Sequence, residues 1–223
     1  MKRSKRYNGA MEKRVTEVMA LPEAVTYIKE NAKAKFDESI EVHVRLNIDP
    51  KKGEQAVRGS VSLPHGIGKS VRVAVITESK VDEAKKAGAD VVGGQELIDK
   101  IKAGTLPDVD VIVATPDMMP KLAPIARILG PRGLMPSPKT DTVTTNVGEA
   151  IESLKKGKAN FKNDNSGNVH QVIGKASFDA EKIAQNYAAF IDAVRGCRTE
   201  AHKGQLITSI SICSTMSPAV KIQ

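Results

Sequence analysis

There is no tryptophan among the 223 residues, and aromatic side chains amount to only 3%. Recognition by stacking many splayed bases needs aromatic platforms. A nucleic-acid partner is therefore expected to be read through backbone, shape and hydrogen bonds. Cysteine is scarce too, with Cys197 and Cys213 the two present. Without a C-x-x-C pair no zinc site, and no other metal, is expected. A disulfide stays open, but the favoured expectation is two buried free thiols in a reducing compartment. No apolar run is long enough to span a bilayer. The opening residues, MKRSKRYNGAMEKR, carry no apolar core behind their basic side chains and do not read as a secretory leader. A cytoplasmic protein with no membrane partner is expected.

Catalytic signatures are missing as well. His43, His65, His170 and His202 are scattered, without H-E-x-x-H spacing, and neither G-x-S-x-G nor G-x-G-x-x-G occurs. The stretch LPHGIGKS, 63–70, ends like a phosphate-cradling loop. Its first glycine should fall at position 63, where Leu63 stands, and the following VRVAVIT reads as a strand instead of a helix. A non-enzyme without cofactors is expected. Gly66 and Gly68 read better as a hinge between domains, an ordinary turn being the alternative.

What is present is a globular composition with a basic surplus. Hydrophobic residues at 40% and charged ones at 27% suffice for a packed core. The 34 Lys+Arg exceed the 26 Asp+Glu by 8, which suits an anionic partner or simply a soluble surface.

Two patterns alternate along the chain. Pro22 opens a helix to about Ala34, with Ala24, Val25, Ile28 and Ala32 as its apolar stripe. IEVHVRLN, 40–47, alternates apolar and polar residues, as a strand with one wet face does, and a second strand is expected over 57–63. The middle differs. VRVAVIT, ADVVGG and DVDVIVATP are short apolar strands separated by the helix-like KVDEAKKAG and GQELIDKIKAG, the signature of βαβ units and a parallel sheet. A third helix near 117–129 is interrupted by Pro120 and Pro124, and a fourth starts at Asn146 with Glu149 as capping-box partner. From residue 160 the first style returns: NSG as a hairpin turn, a helix over 179–194, and ITSISICST as a last strand.

The two ends resemble each other and the middle does not. The expected fold class is α/β: a discontinuous α+β domain from 1–66 and 159–223, with a Rossmann-like α/β/α domain, 67–158, inserted. Its junctions would lie at Gly66 and Gly68 on one side and Gly157, in KKGKAN, on the other.

One segment stands out. LGPRGLMPSPKTDTV, 129–143, holds three prolines and two glycines and must be a loop, with Arg132 and Lys139 on it. With AKFDESIEVHVRL, VRGSVSLPHGIGK, the VIGKASF segment and the terminal STMSPAV, it resembles the bacterial L-one family of ribosomal proteins over nearly the whole chain. That resemblance implies the same split architecture, in a protein of the mobile stalk beside the tRNA exit site. It implies a monomer when free, with large-subunit rRNA, exit-site tRNA and the leader of its own mRNA as partners, the last for autorepression.

The resemblance also implies an RNA surface on the split domain: Lys35, Phe36, Glu41, Asp164, Ser209, Thr215, Met216 and Ser217, with the loop residues Arg132 and Lys139 as a secondary face. The alternative for Phe36 is a core aromatic, and Glu41 reads equally as a solvated strand position. The chain departs from the family at Ser217 and Asp141, where glycine is usual, and at Ser137, where asparagine is. Ser217 either crowds an RNA backbone or adds a hydroxyl to it. Asp141 puts negative charge where a backbone-only residue is common.

Overall fold

The computed structural model describes residues 5–12, 14–50, 52–105, 107–198, 202 and 204–222, the side chain of Lys139 excepted. The first stretch of chain gives helices α1, Lys5–Glu12, and α2, Leu21–Asn31, then strands β1, Ser39–Leu46, and β2, Arg58–Ser62. The middle gives β3, Val73–Ile76; α3, Val81–Lys86; β4, Val91–Gly93; α4, Gln95–Lys102; and β5, Val111–Ala114. It continues with the short α5, Met119–Leu122, and α6, Ala126–Leu129, and with α7, Val147–Lys155. The last stretch gives β6, Lys158–Lys162; β7, Asn168–Lys175; α8, Ala180–Gly196; β8, Ile207–Ser214; and β9, Val220–Lys221. None of the described helices is long and apolar enough to cross a membrane.

The chain divides into two compact units, 1–68 with 160–223 and 69–159. In the first, an antiparallel sheet runs in the order β7-β1-β8-β9, beside a two-stranded β2-β6 sheet. The alternation of β1 does its work here: Ile40, Val42, Val44 and Leu46 are buried, joined by Val169, Ile173, Ile210 and Ile212. Helix α2 covers that face with Ala24, Val25 and Ile28, and α8 with Ile183, Phe190, Ile191 and Val194. Phe161 and Phe190 meet edge to face, centroids 5.6 Å apart. On the sheet's other face Arg45, His170 and Lys221 are exposed and Glu41, His43, Ser209, Ser211 and Cys213 are half-buried.

In the second unit the three parallel strands run in the order β4-β3-β5. Both faces are covered, so β3 reads apolar throughout. Ala74 and Ile76 pack with Leu97, Ile98, Ile101 and Met118 on one side, while Val73 and Val75 pack with Ala84, Val147, Ile151 and Leu154 on the other. The expected mixed α/β class with a parallel sheet is what the structure has.

The third helix is interrupted as expected: it runs as α5, a 3-10 turn at Ala123–Ile125, and α6, because Pro120 and Pro124 each lack an N–H. Three local expectations need correction. The capping box does not close. Asn146 turns its amide to Glu149, 3.4 Å away, and no side chain caps α7. The NSG turn is present, with Gly167 at φ 79°, but it joins no long hairpin. β6 pairs with β2 and β7 with β1, and a single bridge, Asn163 with Val169, links the two arms. Cys197 and Cys213 are free but half-exposed, not buried.

Gly66 and Gly68 have φ of 64° and 73°, the left-handed region. A Cβ at Gly68 would lie 2.9 Å from Lys175 Cγ and 3.1 Å from the Phe178 ring. Gly68→Ala is therefore expected to destabilise the protein by about 1–2 kcal/mol, read as a lower urea midpoint at unchanged m. The opposite junction differs: Gly157, φ 109°, ends α7 by donating to the Leu154 carbonyl at 3.2 Å.

Candidate nucleic-acid interface

The polar face of the four-stranded sheet is a grid set by strand register. On β1 it shows Glu41, His43 and Arg45. Opposite them stand Val172, His170 and Asn168 of β7, and on the other side Cys213, Ser211 and Ser209 of β8. Lys221 of β9 extends the middle row beyond Ser211. From Ser39 to Arg45 the face runs roughly 20 Å along the strand, enough to follow several nucleotides.

At the Ser39 end two turns are laced together around one buried carboxylate. Glu38 is 1% exposed. Its Oε1 accepts from the Ala34 N–H at 2.9 Å, and its Oε2 accepts from the Ser214 hydroxyl at 2.6 Å and the Met216 N–H at 3.0 Å. Beside it the Thr215 hydroxyl accepts from the Ser39 N–H at 3.0 Å and donates to the Ser39 carbonyl at 3.3 Å. Asp37 takes the Ser177 hydroxyl at 2.8 Å, and Lys175 Nζ donates to Ser39 Oγ at 2.9 Å. This frame holds two apolar side chains out in solvent, Phe36 at 55% exposure and Met216 at 47%. Phe36 is therefore no core aromatic. Lys35, beside it, is exposed.

Ser217 does not crowd the surface. Its hydroxyl folds inward, 2.9 Å from the Ser214 hydroxyl, and accepts from the Ser214 N–H at 3.0 Å. Thr215 has spent its proton on Ser39, so it can offer a partner one remaining lone pair.

At the far end Asp164 organises the turn before β7. Its carboxylate accepts from the N–H groups of Asn168, 2.7 Å, and Ser166, 2.9 Å. Burial works against its ionisation, but those N–H groups outweigh it and hold the carboxyl below the usual range. Its other oxygen lies 3.5 Å from His170 Nε2. Asp164 therefore shapes the interface more than it presents an open acceptor. Glu41 and Ser209 are half-buried on the grid itself.

The histidines form its centre, where the sequence had them merely scattered. His43 Nδ1 lies 2.7 Å from His170 Nδ1, the rings edge to face at 4.9 Å, and His43 Nε2 lies 3.1 Å from Cys213 Sγ. Burial, then His170, push His43 below its ordinary value against the pull of Glu41. Burial and Glu41 push the Cys213 thiol up to about 11, so it stays protonated.

The loop residues belong to the second unit. Arg132 is exposed, and the Lys139 side chain lies outside the described residues. Pro136, Thr140 and Thr142 are buried, and the Ser137 carbonyl collects the Thr140 and Thr142 hydroxyls at 3.1 and 3.2 Å. Asp141 sits at φ 52°, which explains why glycine suits the position, and pairs with Lys158 at 2.8 Å. Its charge is thereby largely answered within the unit.

Sequence reasoning missed Glu38, Ser214, His43, His170 and Arg45. The alternation of β1 already put His43 and Arg45 on the wet face. Nothing local marked Glu38 as buried.

A family model described as the ribosomal protein L1p/L10e family matches residues 28–218. Curated relatives are named large ribosomal subunit protein uL1. That of Kosmotoga olearia is 49% identical, covering 99% of this chain and 96% of the relative. That of Thermus thermophilus is 49% identical, covering 99% and 97%. That of Mycoplasma capricolum is 48% identical, covering 99% and 98%. With a family match over residues 28–218 and this likeness along almost its entire length, the chain belongs to the ribosomal protein L1p/L10e family.

Proposed function

We propose that this ribosomal protein of the large subunit grips rRNA with the polar sheet face of its split unit, residues 1–68 and 160–223, and carries the inserted 69–159 unit as the part that moves. The observation that carries the reading is the outward pose of Phe36 and Met216. Leaving large apolar side chains in water is costly, and here a buried carboxylate and a threonine hydroxyl frame the turns that bear them. A ring held this way can stack on a base or ribose. Lys35 can meet phosphate, Thr215 can accept from a 2′-hydroxyl with its remaining lone pair, and Ser209 can accept or donate there. The few aromatics of the chain fit a reader of shape and backbone.

Family membership supports three further parts of the proposal. Exit-site tRNA would meet the loop bearing Arg132 and Lys139. The leader of its own mRNA would compete for the rRNA face, and the free protein would be a monomer. Motion would arise at Gly157 and just after Gly68. Gly66 and Gly68 themselves are held by contacts within the split unit, since Asn186 donates to the Gly66 carbonyl and Gly68 packs on Phe178.

The test is binding of an rRNA fragment by Phe36→Ala. An exposed aromatic that stacks on a base is worth about 1–3 kcal/mol, so affinity should fall roughly 5- to 150-fold. The urea midpoint should not move, because the ring is outside the core. Unchanged affinity would remove the tip from the interface.

A further inference from the structure

The middle of the polar face holds a line running Asp164, His170, His43, Cys213: the carboxylate lies 3.5 Å from His170 Nε2, and hydrogen-bond distances of 2.7 and 3.1 Å join His170 to His43 and His43 to Cys213. Its proton inventory is constrained. Two facing Nδ1 atoms at 2.7 Å require one ring to donate and the other to accept. In the neutral line His170 Nε2–H points to Asp164, His43 Nδ1–H to His170, and the Cys213 thiol to His43 Nε2. Adding one proton reverses the inner bonds without breaking the line. His170 then carries both hydrogens, giving one to Asp164 and one to His43 Nδ1, and His43 Nε2–H turns to the sulfur. Adding a second proton cannot work, because both Nδ1 atoms would be donors facing each other. The pair is built to hold zero or one added proton.

We propose that RNA docking on this face draws one proton onto the His43–His170 pair, so that RNA affinity rises as pH falls through the imidazole range. The inference rests on the RNA-binding reading above and names a regulation of that same face. The groups facing the pair are Glu41 and Arg45 on β1, Asp164 before β7, Cys213 on β8, and Lys221 on β9 beside Ser211. Glu41 and Asp164 favour the added proton; Arg45 and Lys221 oppose it. The balance is tipped by an arriving polyanion. A phosphate backbone laid across the grid adds negative charge and excludes water, and both strengthen its attraction for an imidazolium. The tendency of His43 to stay neutral agrees with a pair that accepts one proton and refuses two.

The sign follows from linkage. If bound protein holds more protons than free protein, affinity increases as pH drops, and the slope of log K against pH counts the difference. Affinity of the full chain for an rRNA fragment is measured from pH 8 to pH 5.5 at constant ionic strength, with proton uptake read by calorimetry in two buffers of different ionisation enthalpy. The expected result is a 3- to 10-fold gain toward low pH, a slope that never exceeds one proton, and fractional uptake near neutrality. His170→Gln, which can still hydrogen-bond Asp164 and His43, should bind with a flat profile and no uptake. His65→Gln, remote from the line, should behave as wild type. Binding that is independent of pH, a slope approaching two, or a profile unchanged by His170→Gln overturns the proposal while leaving the RNA-binding reading intact. No RNA binding at any pH overturns both. The wild-type uptake decides the matter even if a variant folds poorly.

Discussion

Glu38→Ala is expected to weaken rRNA binding at least tenfold and to cost about 2–3 kcal/mol of stability. The carboxylate gathers three donors from two turns distant in the sequence, Ala34 N–H, Ser214 hydroxyl and Met216 N–H. Removing it takes the carboxylate acceptor from the Ser214 hydroxyl, on a residue that is 1% exposed, and leaves only the weaker Ser217 oxygen at 2.9 Å; losing a hydrogen bond to a charged group costs about 1.5–3 kcal/mol. The other two donors lie nearer water and should recover partners by letting their turns loosen. That loosening is the functional loss, since the turns carry Phe36 and Met216. Glu38→Gln should fall between, because one of its two side-chain ends becomes a donor facing donors. Urea unfolding and rRNA-fragment affinity on the same preparations test this. Full affinity in a Glu38→Ala protein that has lost stability would show that the turns need no frame.

Asn186→Leu should destabilise the split unit by about 2–4 kcal/mol, although it fills similar volume with a more apolar side chain. Asn186 is completely buried on α8. Its amide donates to the Ile173 carbonyl at 2.7 Å and the Gly66 carbonyl at 2.9 Å, and its oxygen accepts from the His65 N–H at 3.1 Å. One side chain thus ties a strand and the chain leaving the unit to the same helix. Leucine leaves those backbone groups unpaired, and the deepest, at Ile173, has no water to turn to. Hydrogen exchange should speed up first at 65–68. A variant as stable as wild type, with 65–68 equally protected, would mean that the packing of Gly68 on Phe178 suffices to hold the exit.

Much was legible in one dimension because it depends on period alone. The two-residue alternation of β1, the apolar runs of β3, β4 and β5, and the glycine and proline punctuation report which faces are buried. Burial of apolar surface is the dominant force and acts residue by residue. The same stripe reading misjudged α8 in one place. Its 3.6-residue period groups Tyr187 with Ile183, Phe190, Ile191 and Val194 on one face, yet Tyr187 is half-exposed and the polar Asn186 is buried, because its amide finds backbone partners there. The 3.6 period reports direction, and hydrogen bonding decides what may sit in that direction.

The sequence by itself determined the element order, the parallel middle, the alternation that leaves one sheet face wet, and, through its likeness to a family, where the RNA surface should be sought. Only the tertiary structure decided that Glu38 is the buried tie behind Phe36 and Met216, that Ser217 turns inward, that Asp164 shapes a turn, and that four residues from three separated segments, Asp164, His170, His43 and Cys213, form one line. The reason is physical. Burial patterns are local sums that a short window carries, whereas a hydrogen bond between residues 38 and 214 or 43 and 170 exists only after strand register has brought them within 3 Å.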